Sequence, residues 1–357
     1  MNLEDILIAP KEIKSEAWQL GSTISTEIRE GGIVLVFCSD YRGVRNGKAE
    51  IQDYKRVREQ LYHLSKLDFE IPIADLGDLI SGKGHEDTHF ILQEIISLCL
   101  SKNAIPIIVG GGNDLAFALF SAINFHHQNI NYTQISNLIN LDNSGDTITE
   151  KNFLSKILSS KNFTIKNYHH LGYQKHLNEV DSVRLMRQVD FEVIRLAEMM
   201  NNTEKTEPFF RFADLITVNC DAIESRTGAF SVNPQVNGLN NREICAYMKE
   251  IGLSRNLKSA GIFNYNAESE NFMNHQLLAQ MIWHLVEGIN IQRTHPAERS
   301  YETFWVMTED TKYAFQRDVF SDLWFFGDDE KEENWIPCSF SDYEAAKRGL
   351  VNPRFLK

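Results

Sequence analysis

The stretch Ile105-Pro106-Ile107-Ile108-Val109-Gly110-Gly111-Gly112-Asn113-Asp114 is an unbroken apolar run that stops at three glycines and two oxygen-bearing side chains. Apolar continuity without alternation suits a strand buried on both faces of a parallel sheet. The glycines suit a strand-to-helix turn with unusual backbone angles, and nothing in them matches a Walker loop or a dinucleotide fingerprint. Two further runs end alike: residues 138–141 lead into Asp142-Asn143-Ser144-Gly145-Asp146, and residues 215–218 into Asn219-Cys220-Asp221. Ligands of α/β sheets bind in the crevice beyond the carboxyl ends of the strands. Three such ends on one edge would make a single polar pocket from distant segments, with Asp114 and Asn143 among its lining residues. Asp-Asn-Ser-Gly-Asp is also good turn chemistry by itself.

Working outward, short apolar runs alternate with longer amphipathic ones. Strands are predicted at Ile33–Phe37, 71–74, Ile105–Val109, 138–141, 168–171, 215–218, 260–265 and 303–307, and helices at 87–100, 115–125, 183–200, 242–251 and 274–289. Strand-then-helix order implies right-handed crossovers and helices on both faces of a doubly wound, mainly parallel sheet. No Pro-, Gly- or Ser-rich linker divides the chain, so residues 1–357 are expected to form a single domain. An aromatic C-terminal extension, around 300–357, should pack on the body or on a neighbouring subunit.

The 357 residues are 43 % hydrophobic, enough for a large core. A net charge of −13 with scattered Lys and Arg argues against nucleic acid and anionic membrane as partners and leaves a small-molecule ligand. The start of the chain lacks a secretory pattern and no apolar run nears the roughly 20 residues of a membrane span, so a cytoplasmic protein is expected. The five cysteines show no paired spacing, and Cys220 should point away from Asn219 and Asp221 as a buried structural thiol. The adjacent pairs His126-His127 and His169-His170 read as capping or packing residues rather than ligands, since neighbours on a strand face opposite ways. The acidic run 328–334 reads as a solvated loop.

Gly-Gly-Gly-Asn-Asp, then Asp142 and Asp146 in an Asp-x-x-x-Asp pattern, then Asn219-x-Asp221, resemble in order the motifs of the ureohydrolase superfamily of arginases, agmatinases and formimidoylglutamases. Gly77 after Ile73-Ala74-Asp75-Leu76, Asn237-Gly238-Leu239 and Asn264-Tyr265-Asn266 fall where that family has corresponding segments. Leu171-Gly172-Tyr173-Gln174 and Pro337-Cys338-Ser339 look closer to an arginase or formimidoylglutamase branch. The resemblance implies a three-layer α/β/α sandwich with a doubly wound sheet, the arginase-like fold. It also implies a homo-oligomer and two manganese ions that activate a hydroxide against a guanidinium or formimino carbon.

Carried over residue by residue, the resemblance breaks at the metal. The family places His where this chain has Asn113. It places Asp, His and Asp where the chain has Asp142, Ser144 and Asp146, and two aspartates where it has Asn219 and Asp221. The substrate-facing acid falls at Asn264. Two dications at about 4 Å repel by about 16 kcal/mol at an effective dielectric of 20, and Asp142, Asp146 and Asp221 offer three carboxylates against it. Paired manganese is therefore not expected, whereas one divalent cation (magnesium, calcium or manganese) suits an oxygen-only set in which Asn113, Ser144 and Asn219 are weaker donors. The expectation is a degenerate, catalytically impaired member with no assigned catalytic residue. The alternative is an active hydrolase of linear amidines that uses one metal or a relocated one.

Overall fold

Ile33, Leu35 and Phe37 pack into one hydrophobic cluster and Val34 and Val36 into another, so the run Ile33–Phe37 is buried on both faces. In the computed structural model, which describes residues 3–49, 54–143, 145–200, 203–226, 228–295, 298–308 and 311–356, it is a central strand of a nine-stranded sheet. Along the chain come β1 (Leu7–Ile8), β2 (Ile33–Phe37), α1 (Lys55–Tyr62), β3 (Ile73–Leu79), α2 (His85–Ser101), β4 (Ile105–Val109), α3 (Ala116–His126) and β5 (Ile130–Ile135). There follow α4 (Phe153–Ser159), β6 (Ile165–Tyr173), α5 (Val180–Gln188), β7 (Glu192–Arg195), the one-turn helices α6 (Leu196–Met199) and α7 (Thr203–Thr206), β8 (Leu215–Asn219), α8 (Asn241–Gly252), β9 (Ser259–Phe263) and α9 (Phe272–Arg293).

The sheet order is β1-β3-β2-β4-β9-β8-β5-β6-β7, parallel throughout except for β1 at its edge. Residues of α1, α8 and α9 cover one face and those of α2, α3, α4 and α5 the other, which makes the three-layer α/β/α sandwich. Since β4 and β9 are adjacent although far apart in sequence, the carboxyl ends of β4, β9, β8 and β5 line up on one edge.

Two elements differ from the sequence reading. Residues 138–141 form no strand, and the strand there is β5, whose Thr133 and Gln134 are buried although polar. Their hydrogen bonds account for the burial: Thr133 Oγ1 donates to the Phe209 carbonyl (2.8 Å) and Gln134 Oε1 accepts from the Tyr168 hydroxyl (2.9 Å). The long helix expected over 183–200 is broken at Asp190, which adopts φ +60°, and the β-branched pair Val193-Ile194 continues as β7.

The strand expected at 303–307 belongs to a separate antiparallel sheet of β10 (Tyr301–Thr308), β11 (Thr311–Asp318), β12 (Trp324–Phe326) and β13 (Ile336–Cys338), followed by α10 (Phe340–Ala346). Its small core joins Val306, Phe315, Trp324, Cys338, Ala346 and Phe355. This sheet is tied to the body by Arg211, 5 % exposed, which donates to the carbonyls of Trp324 and Cys338 and pairs with Glu207. Arg211→Ala leaves Glu207 and both carbonyls without their donor and is expected to lower the free energy of unfolding by about 3 kcal/mol. Urea denaturation reads the loss, and an unchanged midpoint would mean that the sheet is held by its apolar contacts alone.

Candidate functional site

The register builds the polar edge. Val109 pairs with Ile262, Val218 with Ile262 and with Ile135, and Asn219 with Phe263, so the residues just past these positions come together. Gly110 and Gly111 turn the chain at φ +87° and +74°, and a Cβ on Gly110 would stand 1.8 Å from the Tyr54 hydroxyl. That turn carries Asn113 and Asp114 into the interior, both with no measurable exposure. Asn264, likewise sealed from solvent, adopts φ +59° directly after β9.

A run of hydrogen bonds crosses the edge. Asn264 Oδ1 accepts from the Asn113 backbone N–H (2.8 Å), and Asn264 Nδ2 donates to Asp221 Oδ2 (2.7 Å) and to Glu150 Oε2 (3.2 Å). Asn233 Nδ2 donates to the same two oxygens (3.1 and 3.2 Å) and the Asn233 N–H to Asp221 Oδ1 (3.2 Å). Asn219 Oδ1 accepts from the Asp221 N–H (2.9 Å), while its amide donates to Ser136 Oγ at 3.5 Å. Asn113 Oδ1 accepts from Gln134 Nε2 at 3.4 Å.

Asn113, Asn219, Asp221 and Asn264 are thus gathered at the strand ends. Asp142, Asn143 and Asp146 are not: all three are exposed, and Ser144 lies outside the described residues. The cause is β5 ending at Ile135, which puts Ser136, not Asp142, beside Asn219. Glu150 and Asn233 escaped the sequence reading because neither stands in a recognisable motif. Cys220 is fully buried and burial pushes its thiol well up, as befits a packed side chain. His170, buried against the Ser136 carbonyl, is pulled down to about 4 and stays neutral.

Burial raises the carboxyl of Asp221, with the Asn264 and Asn233 donors offsetting part of the effect. Burial and then the neighbouring Asp221 charge raise Glu150. A carboxyl whose pKa is raised by folding stabilises the fold below its unfolded value and loses that contribution as pH climbs through the folded value. Glu150→Gln keeps an acceptor for both amides and removes one of two like charges. It is therefore expected to raise the melting temperature by a few degrees at pH 8, with the gain fading below the ordinary carboxylate range. Calorimetry at pH 4 and pH 8 checks it, and a lower melting temperature at pH 8 would contradict the assignment.

A second polar group lies on the other side of the glycine turn. Asp114 Oδ2 stands 2.6 Å from His85 Nε2 and 3.1 Å from His89 Nε2, and the two imidazole nitrogens are 3.3 Å apart. His85 Nδ1 faces Asp40 Oδ1 at 3.2 Å, and Asp40 in turn accepts from Arg42. Burial would lower His85, but Asp114 and Asp40 outweigh it and push it up to about 9. Burial would raise Asp114, but the two imidazoles hold it below the usual carboxylate range. Among the described residues this is the one group of at least three His, Cys, Asp or Glu side chains whose ligand atoms lie within 4.8 Å of one another. The spacing of His85 and His89, one helical turn apart after Gly84, was its signal in the sequence.

A cleft of about 1050 Å³ opens at the opposite edge of the sheet, between Asn131, Asp214 and the C-terminal residues Trp335 and Arg354. No helix among the described residues is long and apolar enough to cross a membrane.

Comparison with known proteins identifies the family and the fold. Residues 33–287 match the sequence profile described as Arginase family. The chain is 30 % identical over 121 residues to the formimidoylglutamase of Aeromonas salmonicida, an alignment covering 32 % of this chain and 35 % of that protein. It is 27 % identical over 168 residues to the formimidoylglutamase of Clostridium tetani, covering 42 % and 48 %. The matched segments thus span between a third and a half of those relatives. Among solved structures, Trypanosoma cruzi formiminoglutamase with Mn2+ superposes with a TM-score of 0.68 at 18 % identity, covering 78 % of this chain and 99 % of the other. Arginase from Bacillus subtilis superposes with a TM-score of 0.58 at 14 % identity, covering 71 % and 98 %. At these identities the structures speak for the fold alone.

Proposed function

The chain belongs to the arginase family, and from that premise we propose that it is a non-hydrolytic member whose strand-end pocket is closed by amide hydrogen bonds at the place where the family seats a manganese pair. The observation that carries this reading is the Asn264 side chain, whose amide donates to both Asp221 and Glu150 while its carbonyl holds the Asn113 N–H.

The donor set does not fit two manganese ions. The end of β4 offers Asn113, a neutral amide. β5 ends at Ile135, and in the spacing of the family's Asp-x-His-x-Asp pattern the residues that follow are Ser136, Leu138 and Asn140. The end of β8 offers Asn219 and Asp221. At these positions one carboxylate, Asp221, and the weak neutral donors Asn113, Ser136, Asn140 and Asn219 cannot offset the repulsion of two dications, which is about 16 kcal/mol at 4 Å in an effective dielectric of 20. A single hard cation shared by Asp142, Asp146 and Asp221 is disfavoured too, because the first two are exposed and the third is 2 % exposed and already bonded to Asn264 and Asn233.

The substrate side agrees. A guanidinium or formimino cation needs a carboxylate partner, and Asn264 stands where the family has an acid. Asn113, Asn219, Asp221 and Asn264 are 0–2 % exposed, which leaves water and substrate little access to the strand ends. With no activated hydroxide and no substrate anchor, the fold is retained for binding or for a structural role, in which the C-terminal sheet offers a surface for homo-oligomer formation. The test is release of formamide from formimino substrates and of urea from guanidino substrates by the full chain preincubated with manganese. Background rates are expected, and turnover that rises with manganese would overturn the reading.

A further inference from the structure

The structure assigns a single cation site of the zinc class to His85, His89 and Asp114, with Asp40 as the outer carboxylate that orients His85. This site is separate from the strand-end pocket and does not rest on the reading proposed for it.

Without a cation the local bonding is awkward. His85 Nε2 and His89 Nε2 both aim at one oxygen, Asp114 Oδ2, at 2.6 and 3.1 Å, and lie 3.3 Å from each other. Two ring N–H groups would have to converge on that single acceptor, while Asp114 Oδ1 is buried with no hydrogen-bond partner. A buried carboxylate ordinarily spreads its donors over both oxygens. Three ligand atoms this close to one another are instead what a metal ion requires.

The dimensions suit a small tetrahedral ion. With bonds of about 2.0–2.1 Å, ligand atoms of a tetrahedral zinc site stand about 3.3 Å apart. The observed separations of 2.6, 3.1 and 3.3 Å need less than an ångström of spreading. Two imidazoles and one carboxylate select zinc, cobalt or nickel over magnesium and calcium, and they leave a fourth position for water. His85 Nδ1 makes no aligned hydrogen bond but lies 3.2 Å from Asp40 Oδ1, so Asp40 is the carboxylate placed to orient the ring of this ligand.

The backbone makes room for the carboxylate. A Cβ on Gly43 would lie 2.1 Å from Asp114 Oδ1, and one on Gly112 would lie 2.3 Å from the same atom. Two glycines therefore line the wall against which Asp114 rests. The site would join the start of α2 to the turn after β4, and Arg42, whose guanidinium reaches the carbonyls of Gly82, Lys83 and Gly84, ties the loop after β2 to the same start of α2.

The test uses the full chain stripped with chelator and dialysed. Zinc is titrated against a chromophoric competitor, and cobalt(II) serves as the spectroscopic probe. One zinc per chain is expected, together with the intense visible bands of four-coordinate cobalt. His89→Phe, which keeps the ring contact with Phe117, and His85→Asn should each weaken zinc binding at least 100-fold while circular dichroism in chelator shows both proteins folded. Asp40→Asn should weaken it about 10- to 100-fold. Absence of stoichiometric zinc in the parent protein would overturn the assignment, as would parent-like affinity in folded His89→Phe.

Discussion

Asn264→Asp is expected to lower the free energy of unfolding by about 3 kcal/mol at pH 8, the cost of leaving buried charges without a partner. The substitution is isosteric, so packing is unchanged and the loss comes from one atom. Nδ2, which donates at 2.7 Å to Asp221 and at 3.2 Å to Glu150, becomes an oxygen facing two others. Three carboxyl groups would then crowd a site in which burial already raises Asp221 and Glu150. A protonated aspartic acid can donate again, so the loss should shrink as pH falls into the ordinary carboxylate range and grow as pH rises above it. Urea unfolding at pH 5 and pH 8 reads both parts. Equal stability of the two proteins at pH 8 would mean that Asn264 does not hold the carboxyl pair.

Arg58→Met should destabilise the protein further, by about 3–5 kcal/mol at neutral pH. Arg58 is 2 % exposed and reaches Asp75 through Nε (2.8 Å) and Nη2 (3.2 Å), and Asp78 through Nη1 (2.8 and 3.0 Å). Its guanidinium also lies 4.1 Å above the Phe37 ring, and the Tyr62 hydroxyl completes the shell of Asp75 at 2.9 Å. Methionine fills most of the volume yet leaves Asp75, sealed inside the protein on β3, without the guanidinium that balances its charge, and takes the same guanidinium from Asp78. Because α1 carries Arg58 and β3 carries both acids, the loss uncouples a helix from the sheet. Replacing Arg58, Asp75 and Asp78 together by Met, Asn and Asn should recover much of the stability, since the uncompensated charge, not the missing ion pair, is the source of the damage. A single substitution that leaves the denaturation midpoint unmoved would contradict this account.

Much of the fold was legible where burial was written in apolar residues. The runs of β2, β4, β8 and β9 read directly as strands buried on both faces, and the motifs at their ends carried the family resemblance. β5 was illegible for a physical reason: Thr133 and Gln134 are buried by virtue of hydrogen bonds formed to Phe209 and Tyr168, which are remote in sequence. The apolar stretch 138–141 was the more obvious candidate, and taking it as the strand moved the third wall of the pocket from Ser136 to Asp142. The single residue Asp190, through its positive φ, broke the helix expected over 183–200, a conformation that composition does not announce. Asn113, Asn219 and Asn264 could be placed at the strand ends from the motifs alone. That Glu150 would come back from a loop to share the Asn264 amide with Asp221 could not be read there, because the contact spans more than 100 residues.

The central claim, that amides occupy the strand ends where relatives of this fold seat a metal pair, is tested most directly by counting manganese. The full chain, purified without chelator, incubated with excess manganese and freed of unbound metal, should carry at most one divalent ion per chain by mass spectrometry, and that ion should vanish in His89→Phe. Two manganese ions per chain, retained in His89→Phe and lost in Asp221→Ala, would contradict it.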